Sequence, residues 1–129
     1  MRINSILLVD DDISSLYLLS YILESRTIKT TKATNGVEAA EILKNTNFDM
    51  IITGYTMPYM DGIELALIAR ELRPRIPIIM MTAGISADVV EMAAMAGISQ
   101  ILSKPFDTEH LLGIIRNFRF KTGTKYPSL

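Results

Sequence analysis

Five short apolar runs alternate along the chain with stretches whose apolar residues recur at helical spacing. The runs predict strands near 5–10, 28–33, 48–53, 77–82 and 98–102. The stretches between them, and the one after the last, predict helices near 13–25, 36–46, 62–72, 86–96 and about 107–120. Five strand–helix units in series favour a parallel sheet with helices on both faces.

The second run differs from the other four. It reads Ile28-Lys29-Thr30-Thr31-Lys32-Ala33, whereas the others are nearly all apolar, which is typical of strands buried on both faces. Threonines and two lysines favour a strand at the edge of the sheet, where lysine discourages pairing with another chain. An edge position for the second strand predicts a flavodoxin-like (βα)5 doubly wound α/β fold with strand order 2-1-3-4-5.

Single residues with capping preferences support these boundaries. Asp12 or Ser14 can cap the first helix, Asn35 can cap the second, and Asp107 can cap the fifth. Gly97 follows the fourth helical pattern, where a glycine commonly ends a helix.

Composition restricts the function classes. The chain has 129 residues, 49% of them hydrophobic, which suits one domain with a sizeable core; we expect it over residues 1–121, with 122–129 as a tail or the start of a linker. A net charge of -1 gives no bulk electrostatic reason for direct binding to nucleic acid or to an anionic membrane. There is no cysteine, no apolar run of about 18 residues and no secretory leader, so a cytoplasmic location is expected.

Polar residues follow four of the predicted strands at their carboxyl ends. The acidic triplet Asp10-Asp11-Asp12 follows the first strand, Gly54 ends the third, Thr82 ends the fourth, and Lys104-Pro105 follows the fifth. Open parallel sheets bind ligands at this edge, where the strand order reverses. The spacing therefore predicts one site between strands one and three.

This set of residues resembles the receiver domain of two-component response regulators, over residues 5 to about 120. The resemblance implies a non-enzymatic domain of phosphorelay signal transduction. In that family the position of Gly54 is the aspartate that accepts the phosphoryl group. Glycine offers no attacking oxygen, so we expect this chain to be unable to accept phosphate there and to act by protein–protein interaction.

The resemblance also implies roles for the residues around position 54. Asp11 would ligate Mg²⁺ directly, Asp10 would act mostly through water, and the backbone carbonyl of Thr56 would be a further ligand. Thr82 would contact a phosphoryl oxygen, and Lys104 would pair with the acceptor carboxylate and then with the phosphoryl group. The acceptor aspartate of the family is also a metal ligand. Because glycine stands at position 54, we expect this chain to bind Mg²⁺ more weakly. The Lys104-Pro105 peptide is expected to be cis, which would aim the lysine.

No neighbour is expected to replace the missing carboxylate. Strand alternation should point Thr53 and Tyr55 away from the site. Asp49 belongs to the start of the third strand, far from this edge, and Asp61 is structural in the family.

The partners implied by the resemblance are a sensor histidine kinase or phosphotransfer protein, and an output domain or protein bound through helix four, strand five and helix five. A homodimer is also compatible with it. The residues expected to make the contacts are Glu91, Met92, Met95, Arg116 and Arg119. Ile101 occupies a position that is often aromatic in the family. There the aromatic ring moves when the threonine is drawn to the phosphoryl group, so we expect the coupling between the site and this surface to be altered.

Two alternatives stay open at this point. The first is an ordinary phospho-accepting receiver that carries an introduced aspartate-to-glycine change at position 54. The second is a flavodoxin-like phosphotransferase or nucleotide-binding enzyme, which is disfavoured because residues 10–14 lack the glycines that cradle phosphates.

Overall fold

A computed structural model describes residues 2–124, with side chains as far as Phe118. Its elements are β1 (Ser5–Val9), α1 (Ile13–Glu24), β2 (Lys29–Ala33), α2 (Gly36–Asn45), β3 (Met50–Gly54), α3 (Gly62–Leu72), β4 (Ile78–Thr82), α4 (Ala87–Met95), β5 (Gln100–Ser103) and α5 (Thr108–Thr124). The strands form one parallel sheet in the order β2-β1-β3-β4-β5, which confirms the predicted fold. Among residues 2–124, no helix is long and apolar enough to cross a membrane.

The end of the last helix differs from the expectation. Helix α5 continues to Thr124, past the predicted end near 120 and into the segment 122–129 expected to be a tail. Its last turn is polar and carries no apolar stripe, so periodicity could not detect it. Residues 125–129 of that segment, like Met1, lie outside the described part of the chain.

Strand β2 lies at an edge of the sheet, as predicted. Among the strands of residues 2–124 it pairs only with β1, in a register that runs from Ser5 opposite Lys29 to Val9 opposite Ala33. The Lys32 ammonium lies 4.8 Å from the centre of the Tyr17 ring on α1, a cation–π contact. The lysines therefore border the open edge, and one of them also covers an aromatic ring of the neighbouring helix.

The core has two layers, one on each face of the sheet. Helices α1 and α5 pack on one face against Leu8 and Ile52, whereas α2, α3 and α4 pack on the other against Leu7 and Ile51. Successive strand residues point to opposite faces. This alternation directs the residue at position 54 toward the same face as Ile52.

The caps predicted for the first two helices agree with the structure, whereas at the start of α5 the Asp107 backbone carbonyl accepts from the Leu111 amide at 3.0 Å and the Asp107 side chain makes no capping hydrogen bond within residues 2–118. Asp12, rather than Ser14, caps α1, because its carboxylate accepts a hydrogen bond from the Ser14 amide at 3.1 Å. Asn35 caps α2 by accepting from the Glu38 amide at 2.8 Å. Gly97 follows α4 with φ +83°, a conformation that favours glycine and ends the helix.

Candidate functional site at the carboxyl edge of the sheet

The predicted site residues lie along one edge of the sheet. Asp10 follows β1, Gly54 is the last residue of β3, Thr82 is the last residue of β4, and Lys104 follows β5. Asp10, Gly54 and Lys104 line a common small hollow between the strand ends and α1. The Lys104 amide donates to the Thr82 carbonyl at 2.9 Å, which ties the ends of β4 and β5 together.

Asp10 and Lys104 form an ion pair at the centre of this edge. The Lys104 Nζ lies 2.7 Å from Asp10 Oδ2, and the two side chains are 27% and 12% exposed. The other carboxylate oxygen, Oδ1, accepts from the Asp12 amide at 3.0 Å. Because the pair is only partly exposed, water screens it less than an ordinary surface pair. The lysine of the site thus takes Asp10 as its partner.

Gly54 faces this ion pair across open space. A Cβ atom added to Gly54 would lie 3.7 Å from Asp10 Cγ and Oδ1 and 3.8 Å from Oδ2, which are ordinary van der Waals distances. The Gly54 backbone is outside the left-handed region, so it does not itself require glycine. A side chain at this position would point at the Asp10 carboxylate.

The other two acids of the triplet have different surroundings. Asp11 is exposed, and its carboxylate makes no hydrogen bond or ion pair within residues 2–118. Asp12 accepts from the Ser15 hydroxyl at 2.8 Å, and this bond, with those from the Ser15 and Ser14 amides, lowers the pKa of Asp12. Asp12 therefore caps α1, whereas the carboxylate oxygens of Asp11 are available to a cation.

Thr82 and Thr56 have no contact with Asp10 that would complete the site. The buried Thr82 hydroxyl lies 3.3 Å from both the amide and the carbonyl of Gly84, so it is engaged with its own loop. Thr56 is exposed in the loop between β3 and α3. The Lys104-Pro105 peptide is cis, as predicted.

This edge of the sheet offers few acidic side chains to a metal ion. No group of three or more histidine, cysteine, aspartate or glutamate side chains gathers within the described residues. Two carboxylates, a backbone carbonyl and several waters are nonetheless an acceptable set for Mg²⁺, which keeps much of its hydration in proteins.

The residues next to Gly54 point away from the site, as alternation predicts. The buried Thr53 hydroxyl donates to the Gly54 carbonyl at 2.9 Å. Tyr55 packs against the core on the α2–α4 face of the sheet. Thr53 still lines part of the hollow beside Asp10, whereas Tyr55 is not among its lining residues.

The two remaining acids near β3 have structural contacts. Asp49 Oδ2 accepts from the amides of Asn4 and Ser5 at 2.8 and 3.1 Å, which places it at the opposite, amino edge of the sheet. Asp61 and Glu64 form a capping box at the start of α3. Neither acid is among the residues that line the hollow beside Gly54.

Sequence reasoning missed the importance of Gly62, the first residue of α3. A Cβ atom there would lie 2.3 Å from the Gly54 carbonyl oxygen, so α3 packs directly against the strand that carries the site. The Gly62 amide donates to the Tyr55 carbonyl at 2.8 Å. A glycine directly after the capping residue Asp61 is not needed to start the helix. Its presence is the sequence signal that could have indicated close packing at this position.

The predicted partner surface of α4, β5 and α5 carries exposed apolar side chains. Met92 is 43% exposed and Met95 is 81% exposed. Ile101 is half-buried and packs toward the core on the α4 side. Arg116 is exposed on α5, whereas the side chain of Arg119 lies outside the described residues.

Comparison with known sequences identifies a family whose model matches most of the chain. The model described as the response regulator receiver domain matches residues 6–116. The transcriptional regulatory protein ZraR of Klebsiella oxytoca is 36% identical over 106 residues, which are 82% of this chain and 24% of ZraR. The probable transcriptional regulator ycf29 of Porphyra purpurea is 33% identical over 124 residues, 94% of this chain and 58% of that protein. The chain thus spans about a quarter of the first relative and little more than half of the second.

Solved structures with the same fold include two receiver-type proteins. Chemotaxis protein CheY4 of Vibrio cholerae superposes with a TM-score of 0.85 at 30% identity, covering 90% of this chain and 98% of CheY4. The receiver domain of sensor histidine kinase PA1611 from Pseudomonas aeruginosa PAO1 superposes with a TM-score of 0.83 at 26% identity, covering 92% of this chain and 98% of that domain. The PA1611 domain has a magnesium ion coordinated in its active site cleft.

Proposed function

This chain belongs to the response regulator receiver family, and we propose that it is a receiver that signals by binding partners without accepting a phosphoryl group at position 54. It is a two-component signalling domain rather than an enzyme. The observation that carries the proposal is the open place at Gly54. A side chain there would face Asp10 at 3.7 Å, yet glycine supplies no oxygen at that point.

The chemistry of the family requires that oxygen. In phosphoryl transfer to a carboxylate, an oxygen attacks phosphorus in line as the bond to the donor breaks. The nearest carboxylate, Asp10, has one oxygen on the Lys104 ammonium at 2.7 Å and the other on the Asp12 amide at 3.0 Å. These contacts support a site that has kept its charged residues and lost its nucleophile.

We assign a weak Mg²⁺ site to Asp10, Asp11 and the Thr56 carbonyl. When bound, Mg²⁺ neutralises negative charge at this edge of the sheet. The Lys104 ammonium already occupies Asp10 Oδ2, so a cation must compete with it. In this proposal Lys104 and Thr82 are the groups that would contact a phosphoryl oxygen. Position 54 supplies no carboxylate to carry that phosphoryl group.

The proposed partner surface is the face formed by α4, β5 and α5. The partners would be a histidine kinase or phosphotransfer protein, and an output domain or protein. Met92 and Met95 give this face exposed, flexible apolar contacts that can adapt to a partner surface. Arg116 would supply part of a polar rim.

The test uses a small acyl phosphate as the phosphodonor, with Mg²⁺, and intact-protein mass spectrometry. We expect no phosphorylated species from the present chain and at most slow phosphorylation of Gly54→Asp. The matched control is Gly54→Asn, which has nearly the same size and shape but no carboxylate. A phosphorylated species from the present chain that is lost in the Asp11→Asn variant would refute the proposal, because it would show that this site still accepts phosphate.

One observation favours the second candidate, an ordinary receiver with an introduced change at position 54. The position accepts a Cβ at ordinary contact distance and has no backbone need for glycine. Rapid labelling of Gly54→Asp would favour that candidate. Slow or absent labelling would favour a receiver whose site has diverged around the glycine.

A further inference from the structure

We propose that the opposite, amino edge of the sheet carries an anion-binding pocket for a small molecule that joins a phosphate or carboxylate group to an apolar body. The pocket is a cavity of about 210 Å³ bounded by the chain before β1, the turn between α1 and β2, and the middle of α5. Because it lies at the other edge of the sheet from Gly54, this inference does not depend on whether position 54 accepts phosphate, and Arg116 is the one residue it shares with the proposed partner face.

Three arginines from separate segments line this cavity. Arg2 precedes β1, Arg26 follows α1, and Arg116 lies on α5. None of the three guanidinium groups forms a hydrogen bond or an ion pair within residues 2–118, and no acidic side chain is among the residues that line the pocket. The whole chain has a net charge of -1, so this local excess of positive charge does not follow from composition.

Two other arginines at the same edge have a different role. Arg70 donates to the carbonyls of Ile76 and Gly97 at 2.8 and 2.6 Å. Arg73 donates to the Leu43 carbonyl at 2.7 Å. These guanidinium groups hold loops and a helix end in place, and burial lowers the pKa of Arg70. The three arginines of the pocket do no such structural work.

The base of the pocket is apolar. Ile3, Leu112 and Ile115 are 5%, 3% and 3% exposed, and the half-buried Ile28 lies beside them. Thr27, on the wall, has φ +64°, which is unfavourable for a β-branched residue. A ligand that fits must therefore place an apolar body on this base and its charge at the rim.

The chemistry of the rim selects the charged group. A guanidinium presents a planar fork of donors that matches phosphate and carboxylate oxygens, often in bidentate fashion. Neither a cation nor a neutral apolar molecule would satisfy three such groups. Phosphate monoesters and carboxylates share the required chemistry, and the experiment separates them.

The experiment is a titration of the full chain without Mg²⁺, followed by amide NMR shifts. The probes are phenyl phosphate, benzoate, inorganic phosphate and benzyl alcohol. Saturable shifts at Asn4, Thr27 and Ile28 are expected with phenyl phosphate, benzoate or both, and the tighter of the two identifies the anion. We expect weaker binding of inorganic phosphate and none of benzyl alcohol. No saturable shift with either aromatic anion, or shifts centred on Gly54 and Lys104, would overturn the proposal.

Charge variants test the arginines directly. Arg26→Gln and Arg116→Gln should each weaken binding of the tighter aromatic anion roughly threefold to tenfold, because each removes a charge-assisted contact at an exposed rim. The control is Arg75→Gln, the same change at an exposed arginine that has no partner in the described part of the chain. It should leave the Kd unchanged. Equal weakening in all three variants would mean a general charge effect and no pocket, and thermal melts verify that each variant is folded.

Discussion

Gly54 and Gly62 stand at the two ends of the loop between β3 and α3, and their surroundings differ sharply. A Cβ at Gly54 would meet its first neighbour, Asp10, at 3.7 Å. A Cβ at Gly62 would lie 2.3 Å from the Gly54 carbonyl oxygen and 3.1 Å from Met80 Sδ. Packing requires the second glycine, whereas the first occupies a place with room for a side chain. Packing therefore gives no steric reason for a glycine at position 54.

The tight packing at Gly62 also holds the loop of the candidate site. The Gly62 amide donates to the Tyr55 carbonyl at 2.8 Å, and the Asp61–Glu64 capping box secures the first turn of α3. Thr56, whose carbonyl is a proposed metal ligand, lies within this loop. The scaffold around the site is thus constrained even though its centre is open.

The largest effect is expected for Gly62→Ala. The added methyl group would overlap a backbone oxygen, and a change of this kind typically costs about 3 kcal/mol of unfolding free energy. Urea unfolding measures the loss. Gly84→Ala is the control, because a Cβ there has no neighbour within 4 Å, and its stability should stay close to that of the present chain. Equal stability of the two variants would show that α3 can move away from β3 without cost.

A smaller effect is expected for Gly54→Asp without metal. The new carboxylate would be repelled by Asp10 and Asp11 and attracted by Lys104, which leaves about one unbalanced repulsive pair, worth at most ~4 kcal/mol at an effective dielectric constant of 20. Water will reduce this value, and removing a glycine returns about 0.5–1 kcal/mol. The variant should therefore melt below the present chain, and Mg²⁺ should narrow the gap because the variant has one more metal ligand.

Gly54→Asn separates charge from size in that experiment. It adds a side chain of the same shape without a negative charge, so it should melt no lower than the present chain and respond to Mg²⁺ no more strongly. If Gly54→Asp proves more stable than the present chain without metal, or gains no more from Mg²⁺, electrostatic crowding at this edge is not the controlling effect.

The smallest effect concerns Asp12, on the other side of the site. Hydrogen bonds from the Ser15 hydroxyl and the Ser15 and Ser14 amides lower the pKa of Asp12 in the folded state. Its contribution to stability is therefore fully present above the unfolded-state pKa and is lost as the pH falls through the folded-state pKa. Asp12→Asn keeps a capping side chain but does not titrate. Melting temperatures between pH 6 and pH 2 should fall slightly less for the variant, and parallel curves would show that this carboxylate adds no pH dependence.

Much of the fold could be predicted because it depends on local periodicity. The apolar runs located all five strands within two residues of their observed ends, and the lysines and threonines of 28–33 indicated the edge of the sheet. The predicted end of α5 was wrong because a polar last turn carries no periodic signal. The sequence offers Asp12 and Ser14 as caps of α1, and only the backbone geometry decides for Asp12.

The candidate site could be predicted only in part. Topology brings strand ends together, so the sequence alone predicts that Asp10, Gly54, Thr82 and Lys104 share one edge. The partner of Lys104 could not be assigned in the same way. The resemblance implies a lysine that pairs with an acceptor carboxylate, and in its absence the ammonium lies 2.7 Å from Asp10.

The sequence by itself determined the succession of strands and helices, the edge position of β2, and the absence of an oxygen at position 54. These properties follow from residue identity and from periodicities of two and 3.6 residues, which are local. Only the tertiary structure decided that Lys104 pairs with Asp10, that Gly62 must be a glycine, and that Arg2, Arg26 and Arg116 surround one cavity. Each of these depends on distances between atoms far apart in the chain, and the packing of helices on the sheet sets those distances.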